Sequence, residues 1–309
     1  MTKISFLIAA HNEEKIIEKT LKKILGIPYN NFEIIVGLDG CTDNTEKIIK
    51  KLEKQTKKIK HYNLNLREGK PAVINSLIKK TKGEIIIIND ADWLFQVKSS
   101  EKFKKFVSVF ENPQIGGIAE SFPAEWHKDR LAAGDLGYKM EAYSSYLWYN
   151  FQKDRFTVKK DGLRYVTQPN MFLTNIFRKK LYEENFSLGD DFERTCRIFE
   201  KGYEIVLFDD QEMPRIKTTY DKTSVKDLFK QKVRTAIARE QLNSKKIFEV
   251  NTKNYYLPSV IYIFKESWKM GFDIGVIISL WIIITSLATF VSKFKRMDTK
   301  EGWKIRLKR

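Results

Sequence analysis

The chain has 309 residues, 42% hydrophobic and 31% charged, with 15 Gly and 7 Pro, which describes a folded protein with a real core and excludes a disordered or low-complexity one. Its formal charge of +17 admits phosphate-bearing ligands, anionic lipid or a Lys-rich solvated surface, while no zinc-finger spacing, RNP-like segment or basic-aromatic repeat supports nucleic acid as a partner. Cys41, Cys196 and the three histidines His11, His61 and His127 are too scattered for a sulfur, imidazole or redox site, which leaves carboxylates as the credible metal ligands.

Ile4 to Ala9 is an apolar run of strand length, and Asn12-Glu13-Glu14 then opens a helix with Ile17, Leu21, Ile24 and Leu25 at helical spacing, stopped by Gly26 and Pro28. Phe32 to Leu38 repeats the strand signal. Asp43-Asn44-Thr45 supplies cap chemistry for a helix marked by Ile48, Ile49 and Leu52. Lys60 to Leu64 is a weaker strand, Pro71 to Lys80 a helix, and Glu84 to Asn89 the strongest strand. This alternation predicts an α/β fold with a mostly parallel sheet and helices on both faces. In such sheets ligands sit at the carboxyl ends of the strands. The rule directs attention to Ala10-His11-Asn12, Asp39-Gly40 and Asp90-Ala91-Asp92.

A helix over Ser100 to Phe110 places Phe103, Phe106, Val107 and Phe110 on one face, as core. Gly116 to Val166 gives no clear parse, and its aromatic crowd from Tyr143 to Phe151 is read as packing. Gly189-Asp190-Asp191 begins a helix to about Lys201-Gly202, and Tyr203 to Phe208 is a strand. A further helix starts near Thr223-Ser224, with Asp227 in the capping-box position and Gln231 and Arg234 three apart on one face. The soluble part reads as one domain over residues 1–250.

Two acids separated by one residue at an extended strand end point to the same side, so Asp90 and Asp92 can share one hard cation. Mg2+ or Mn2+ there would neutralise the charge that a departing nucleoside diphosphate develops. An isolated D-x-D is more often turn chemistry, so context has to decide.

The context is a set of motifs in order. Ala9-Ala10-His11-Asn12-Glu13 follows the first strand, Leu38-Asp39-Gly40-Cys41-Thr42-Asp43 the second, and Arg67-Glu68-Gly69-Lys70-Pro71-Ala72 precedes the D-x-D strand. Asp190-Asp191, Gly202-Tyr203-Glu204-Ile205 and Gln231-Lys232-Val233-Arg234 come later. Over nearly the whole soluble domain the chain resembles the family 2 glycosyltransferases of the GT-A fold. It departs from their pattern in lacking the first proline, in His11, in one aspartate lost and Cys41 gained at the second strand end, and in Thr235 where tryptophan would stand.

The resemblance implies an inverting transferase that uses a nucleoside diphosphate-sugar, a UDP-sugar by expectation, and a divalent cation. It implies that Ala10, Asn12, Glu13, Asp39, Arg67, Lys70 and Asp90 lie on the donor, with metal on Asp90 and Asp92. Asp191 would be the general base, and Gln231 with Arg234 would clamp the diphosphate or the acceptor. For Asp39 a turn role is the competing reading, for Asp191 an ordinary N-cap, and for the basic residues a solvated surface. Asp190 would raise the pKa of Asp191 and the helix N-terminus would lower it.

Residues 251–309 are read as a membrane region: an interfacial helix from Tyr255, an uncharged segment over 274–291 near the minimum spanning length, and a basic tail. With no signal peptide ahead of the first strand, the catalytic domain is expected on the cytoplasmic membrane, facing the cytoplasm. A single span would then put the basic tail outside, against the positive-inside rule, so a hairpin or re-entrant arrangement is expected. The acceptor is expected to be a hydroxyl of a lipid-linked or membrane-delivered glycan. A polyprenyl-phosphate sugar synthase, a nucleotidyltransferase and a non-catalytic basic membrane-surface binder stay open as alternatives.

Overall fold

The structure, a computed structural model, describes residues 2–119, 131, 135–169, 172–184, 187–219, 222–244 and 255–297. The basic tail beyond residue 297 and His127 lie outside the described residues. In chain order the elements are β1 Ile4–Ala10, α1 Ile17–Leu25, β2 Phe32–Leu38, α2 Thr45–Glu53, β3 Ile59–Asn63, α3 Lys70–Ile78 and β4 Ile85–Ile88. There follow β5 Trp93–Gln96, α4 Ser100–Ser108, β6 Ile115–Ile118, α5 Leu136–Arg155, β7 Thr157–Lys160, β8 Leu163–Val166 and β9 Ile176–Arg178. The last are α6 Asp190–Glu200, β10 Glu204–Leu207, β11 Arg215–Thr218, α7 Val225–Ser244, α8 Leu257–Met270 and α9 Phe272–Ser292.

Two compact units emerge: Met1–Glu125 with Lys159–Phe186 and Asp190–Thr219, and Trp126–Val158 with Ser187–Gly189 and Tyr220–Arg309. The first holds a sheet of order β3-β2-β1-β4-β9-β6-β10-β8-β7. β1 pairs in parallel with β2 and β4, β2 with β3, and β6 with β10. Every residue of β1 and β4 is buried, as expected for central strands covered on both faces. β9 runs antiparallel between β4 and β6, so the sheet is mixed, with the parallel part as read from the sequence.

Phe6, Phe95, Phe103 and Phe106 are at most 1% exposed and meet edge-on or stacked, with Phe95 and Phe103 ring centroids 6.5 Å apart. The aromatics of α4 are core, as their spacing predicts.

The largest shift of a helix boundary is at the first helix. The sequence opens the first helix at Asn12, whereas α1 begins at Ile17. Asn12 takes the left-handed φ of 56°, and its Oδ1 accepts the Thr42 N–H at 2.8 Å. That side chain is spent on joining two strand ends rather than on capping a helix.

The second unit is helical. Met140 and Leu147 of α5, Leu228 of α7, Ile263 of α8 and Ile278 and Trp281 of α9 form one core. Val233, Ile237 and Ala238 of α7 and Ala288 of α9 belong to another. α7 opens on the expected capping chemistry, with the Asp227 N–H on Ser224 Oγ at 3.1 Å and the Ser224 hydroxyl on Asp227 Oδ2 at 2.7 Å.

Candidate active site

The first strand ends are laced together. Ala10 O, at the end of β1, accepts the Asp39 N–H at 2.9 Å and the Cys41 thiol at 3.3 Å. Glu13 is buried, and its N–H reaches Thr45 Oγ1 at 2.6 Å. Asp39 is completely buried. Its Oδ1 accepts the Glu68 N–H at 2.6 Å and its Oδ2 the Gly69 N–H at 3.0 Å. The carboxylate that the resemblance puts on the donor is thus turned inward, onto the loop that leads into α3. Gly40, at φ +61°, lets that loop come close, since a Cβ there would lie 3.0 Å from Arg67 N. Arg67 is partly buried, and its Nε has no hydrogen-bond partner among the described residues.

By fixing the 68–69 amides, Asp39 places Lys70 as the first residue of α3. Lys70 Nζ stands 2.7 Å from Asp90 Oδ1, with the lysine side chain 13% exposed and the aspartate 45%. Burial alone would lower the pKa of this ammonium, but Asp90, Asp190 and Asp191 outweigh burial and hold it above the ordinary lysine value. One cation therefore feels the charge of three acids, one in the turn after β4 and two at the start of the helix that opens at Asp190.

Asp90-Ala91-Asp92 is not an extended strand end, as its sequence suggests, but a turn between β4 and β5, closed by the Trp93 N–H on Asp90 O at 3.1 Å. Asn89 Nδ2 donates to Asp90 O and Trp93 O at 2.8 and 2.9 Å. Thr20 Oγ1 donates to Ala91 O, and Thr219 Oγ1 to Asp92 O. Strand alternation therefore does not aim these carboxylates; a side-chain scaffold around the turn does. No cluster of three or more His, Cys, Asp or Glu suited to a metal exists among the described residues. The hard oxygen donors of Asp90 and Asp92 nonetheless fit Mg2+ or Mn2+, which bind through one or two carboxylates and take their other ligands from phosphates and water.

Asp190 and Asp191 open α6, where the sequence puts them. Asp190 is buried and pairs with Arg194 Nη2 at 2.7 Å. Arg194 also donates to Thr174 O at 2.8 Å and Asn175 Oδ1 at 3.0 Å, and its guanidinium lies 5.2 Å over the Phe177 ring. Asp191 Oδ1 accepts the Phe192 N–H at 2.9 Å. Burial first, then the Asp190 charge, raise the pKa of Asp191 against the opposing pull of Lys70 and Arg194.

Gln231 and Arg234 belong to α7 in the second unit, and Gln231 Oε1 and Arg234 Nε are buried without a hydrogen-bond partner among the described residues. Arg194, Asn89 and Thr219 escape the sequence reading. Arg194 alone carried a usable signal, because it stands four residues after Asp190 on one helix.

The sheet order, with its helices around it and its loops at the strand ends, is that of the GT-A fold. The sequence model of glycosyl transferase family 2 matches residues 5–186, and the chain belongs to that family. A poly-beta-1,6-N-acetyl-D-glucosamine synthase of Staphylococcus epidermidis is 32% identical over 115 residues, covering 37% of this chain and 27% of that protein. The chain therefore spans about a quarter of that relative's length. A GalNAc(5)-diNAcBac-PP-undecaprenol beta-1,3-glucosyltransferase of Campylobacter jejuni is 23% identical over 210 residues, covering 65% of this chain and 66% of that one. Among solved structures, a mannosyltransferase of Pyrobaculum calidifontis in complex with GDP-Man and Mn2+ superposes with a TM-score of 0.58 at 15% identity, over 94% of this chain and 88% of that one.

Proposed function

We propose that the protein transfers one sugar, with inversion, from a nucleoside diphosphate-sugar to a hydroxyl of a lipid-linked or membrane-delivered glycan, a UDP-sugar being the first donor to test. The acceptor oxygen attacks the anomeric carbon as the bond to the diphosphate breaks, Asp191 takes the hydroxyl proton, and the nucleoside diphosphate leaves. Asp90 and Asp92 would hold a divalent cation, which supplies neutralising charge for the diphosphate. Lys70 and Arg67 add positive charge on the donor side, and Asp39 holds their loop in place. Gln231 and Arg234 would clamp the diphosphate or the acceptor end.

The observation that carries this reading is the Lys70 ammonium, 2.7 Å from Asp90 with its side chain 13% exposed, whose pKa Asp190 and Asp191 also help to hold up. It links the acids proposed for the diphosphate to the acid proposed for the proton. A base whose pKa is raised by burial is better matched to a hydroxyl proton at neutral pH. The Campylobacter relative, whose name specifies an undecaprenol-linked glycan, supports the lipid-linked acceptor, and the GDP-Man and Mn2+ complex of the Pyrobaculum protein supports a nucleoside diphosphate-sugar with a divalent cation.

The test is a screen of UDP- and GDP-sugars with Mg2+ or Mn2+, following nucleoside diphosphate release with and without membrane lipid. Asp92→Ala is expected to abolish metal-dependent donor binding, and Asp191→Asn to keep donor binding but lose transfer. Undiminished transfer by either variant overturns the corresponding role.

A further inference from the structure

α9 is the one helix among the described residues that is long and apolar enough to cross a membrane, yet its surroundings do not suit a crossing. Gly275, Ile278, Trp281, Ala288 and Ser292 form a buried stripe that runs its whole length. That stripe packs on α7: Leu228 meets the Ile278 and Trp281 region, Val233, Ile237 and Ala238 meet Ala288, and Gln241 Nε2 donates to Met297 O at 2.9 Å. The two helices thus run side by side from end to end. α7 carries Lys226, Asp227, Lys230, Lys232, Arg234, Arg239 and Glu240.

At the middle of α9, Lys232 Nζ lies 5.5 Å over the Trp281 ring and 3.3 Å from Glu141 of α5. If α9 spanned, this pair and the rest of α7 would be drawn to the bilayer centre. Each charged residue there costs roughly 2.5–3.5 kcal/mol even on insertion scales.

The opposite side of α9 is bare. Phe272, Val276, Leu280, Ile283, Leu287, Phe290 and Phe294 are exposed, and at about 100° per residue they fall within an arc of about 80°. On α8 the exposed Leu257, Ile261, Phe264 and Trp268 share one face in the same way. The two stripes join at Gly271, where the Trp268 and Phe272 rings meet edge-on at 5.6 Å. Gly275 permits the join, since a Cβ there would lie 2.5 Å from Trp268 Cδ2. Exposed Lys265 and Lys269 flank the α8 stripe, and exposed Lys293, Lys295 and Arg296 follow the end of α9. A continuous apolar stripe edged by basic residues complements an anionic lipid surface.

We infer that α8 and α9 lie in the plane of the membrane, as a paired interfacial anchor on an anionic leaflet, and that α9 does not cross. This deepens the membrane part of the proposed function and rests on it. It also removes the conflict over the basic tail, because with no crossing the catalytic unit and the chain beyond α9 stay on one side.

Full-length protein with Cys41→Ser, Cys196 being buried with its thiol pushed up to about 12 and so inert, would carry one nitroxide in turn at Val276, Leu280, Ile283, Leu287 or Phe290. Bound to vesicles of phosphatidylcholine and phosphatidylglycerol, all five labels are expected at one shallow depth, roughly 5–10 Å into the headgroup boundary. A profile that deepens to the bilayer centre near Ile283 and rises again would overturn the in-plane anchor while leaving membrane action intact. Labels that stay unimmersed but sense a second copy would overturn the lipid assignment in favour of a dimer face, and sugar transfer measured on the same samples shows separately whether the catalytic reading stands. In a second arm, Leu280→Glu with Ile283→Glu, both on the bare stripe, should weaken vesicle binding by at least about tenfold. Unchanged binding by a folded double variant also overturns the inference.

Discussion

Asp191 and Asp190 are neighbours with opposite solutions to the same problem. Asp190 is buried against Arg194, whereas Asp191 keeps a pKa raised by burial and by the Asp190 charge. A carboxyl raised on folding holds its proton over a pH range where the unfolded chain has lost it. Stability therefore falls as pH rises from the ordinary carboxylate value to the raised one, and stays lower above it. Asp191→Asn removes this dependence, so its melting temperature at neutral pH should equal or exceed the parent's while transfer falls by about 10²–10⁴. Thermal melts across that acidic range, run beside single-turnover transfer, check both halves; a parent-like pH slope in the variant would assign the slope to another group. Arg194→Met should act in the other direction. It strands a buried Asp190 charge, and urea unfolding should show a loss of about 3–5 kcal/mol.

At the scale of elements, the decisive join is between the end of β2 and the start of α3. Asp39 uses both carboxylate oxygens on the Glu68 and Gly69 amides, so Asp39→Asn must present an amide N–H₂ to one of those donors. Stability should drop by about 1–3 kcal/mol, and donor affinity should fall with it because the position of Lys70 depends on this loop. Denaturation with donor titration separates the readings: lost donor binding at unchanged stability would put Asp39 on the nucleotide directly. The strands and helices up to β4 were legible because each apolar run is long enough to show its period and ends in turn chemistry. β9 was not, because Ile176–Arg178 is three residues long and its place between β4 and β6 is set by long-range pairing. The Asp90 turn was misread as extended because the residues that bend it, Thr20 and Thr219, are distant in sequence. The apolar run of α9 was legible, but the division of its surface into a packed face and a bare one was not. With one face packed on protein and the other bare, both faces are apolar and the helix shows no amphipathic signature.

For the whole molecule, the formal charge of +17 and the bare stripe of α8 and α9 make different contributions that salt can separate. Apolar burial in a leaflet is insensitive to ionic strength, whereas attraction between lysines and anionic lipid, about 1 kcal/mol per residue near the surface, is screened within a Debye length of about 8 Å at physiological salt. Chemistry inside the site should be far less affected, because the Lys70 to Asp90 pair is held with the lysine side chain only 13% exposed and partly buried pairs are screened much less. Raising salt should therefore slow transfer to a lipid-linked acceptor in anionic vesicles several-fold while leaving transfer to a short soluble acceptor nearly unchanged. Nucleoside diphosphate release measured with both acceptors, at low and high salt and at saturating metal, is the direct comparison. Equal slowing with both acceptors would move the salt effect from the membrane surface into the donor site, where the positive charge of Lys70 and Arg67 would then have to account for it.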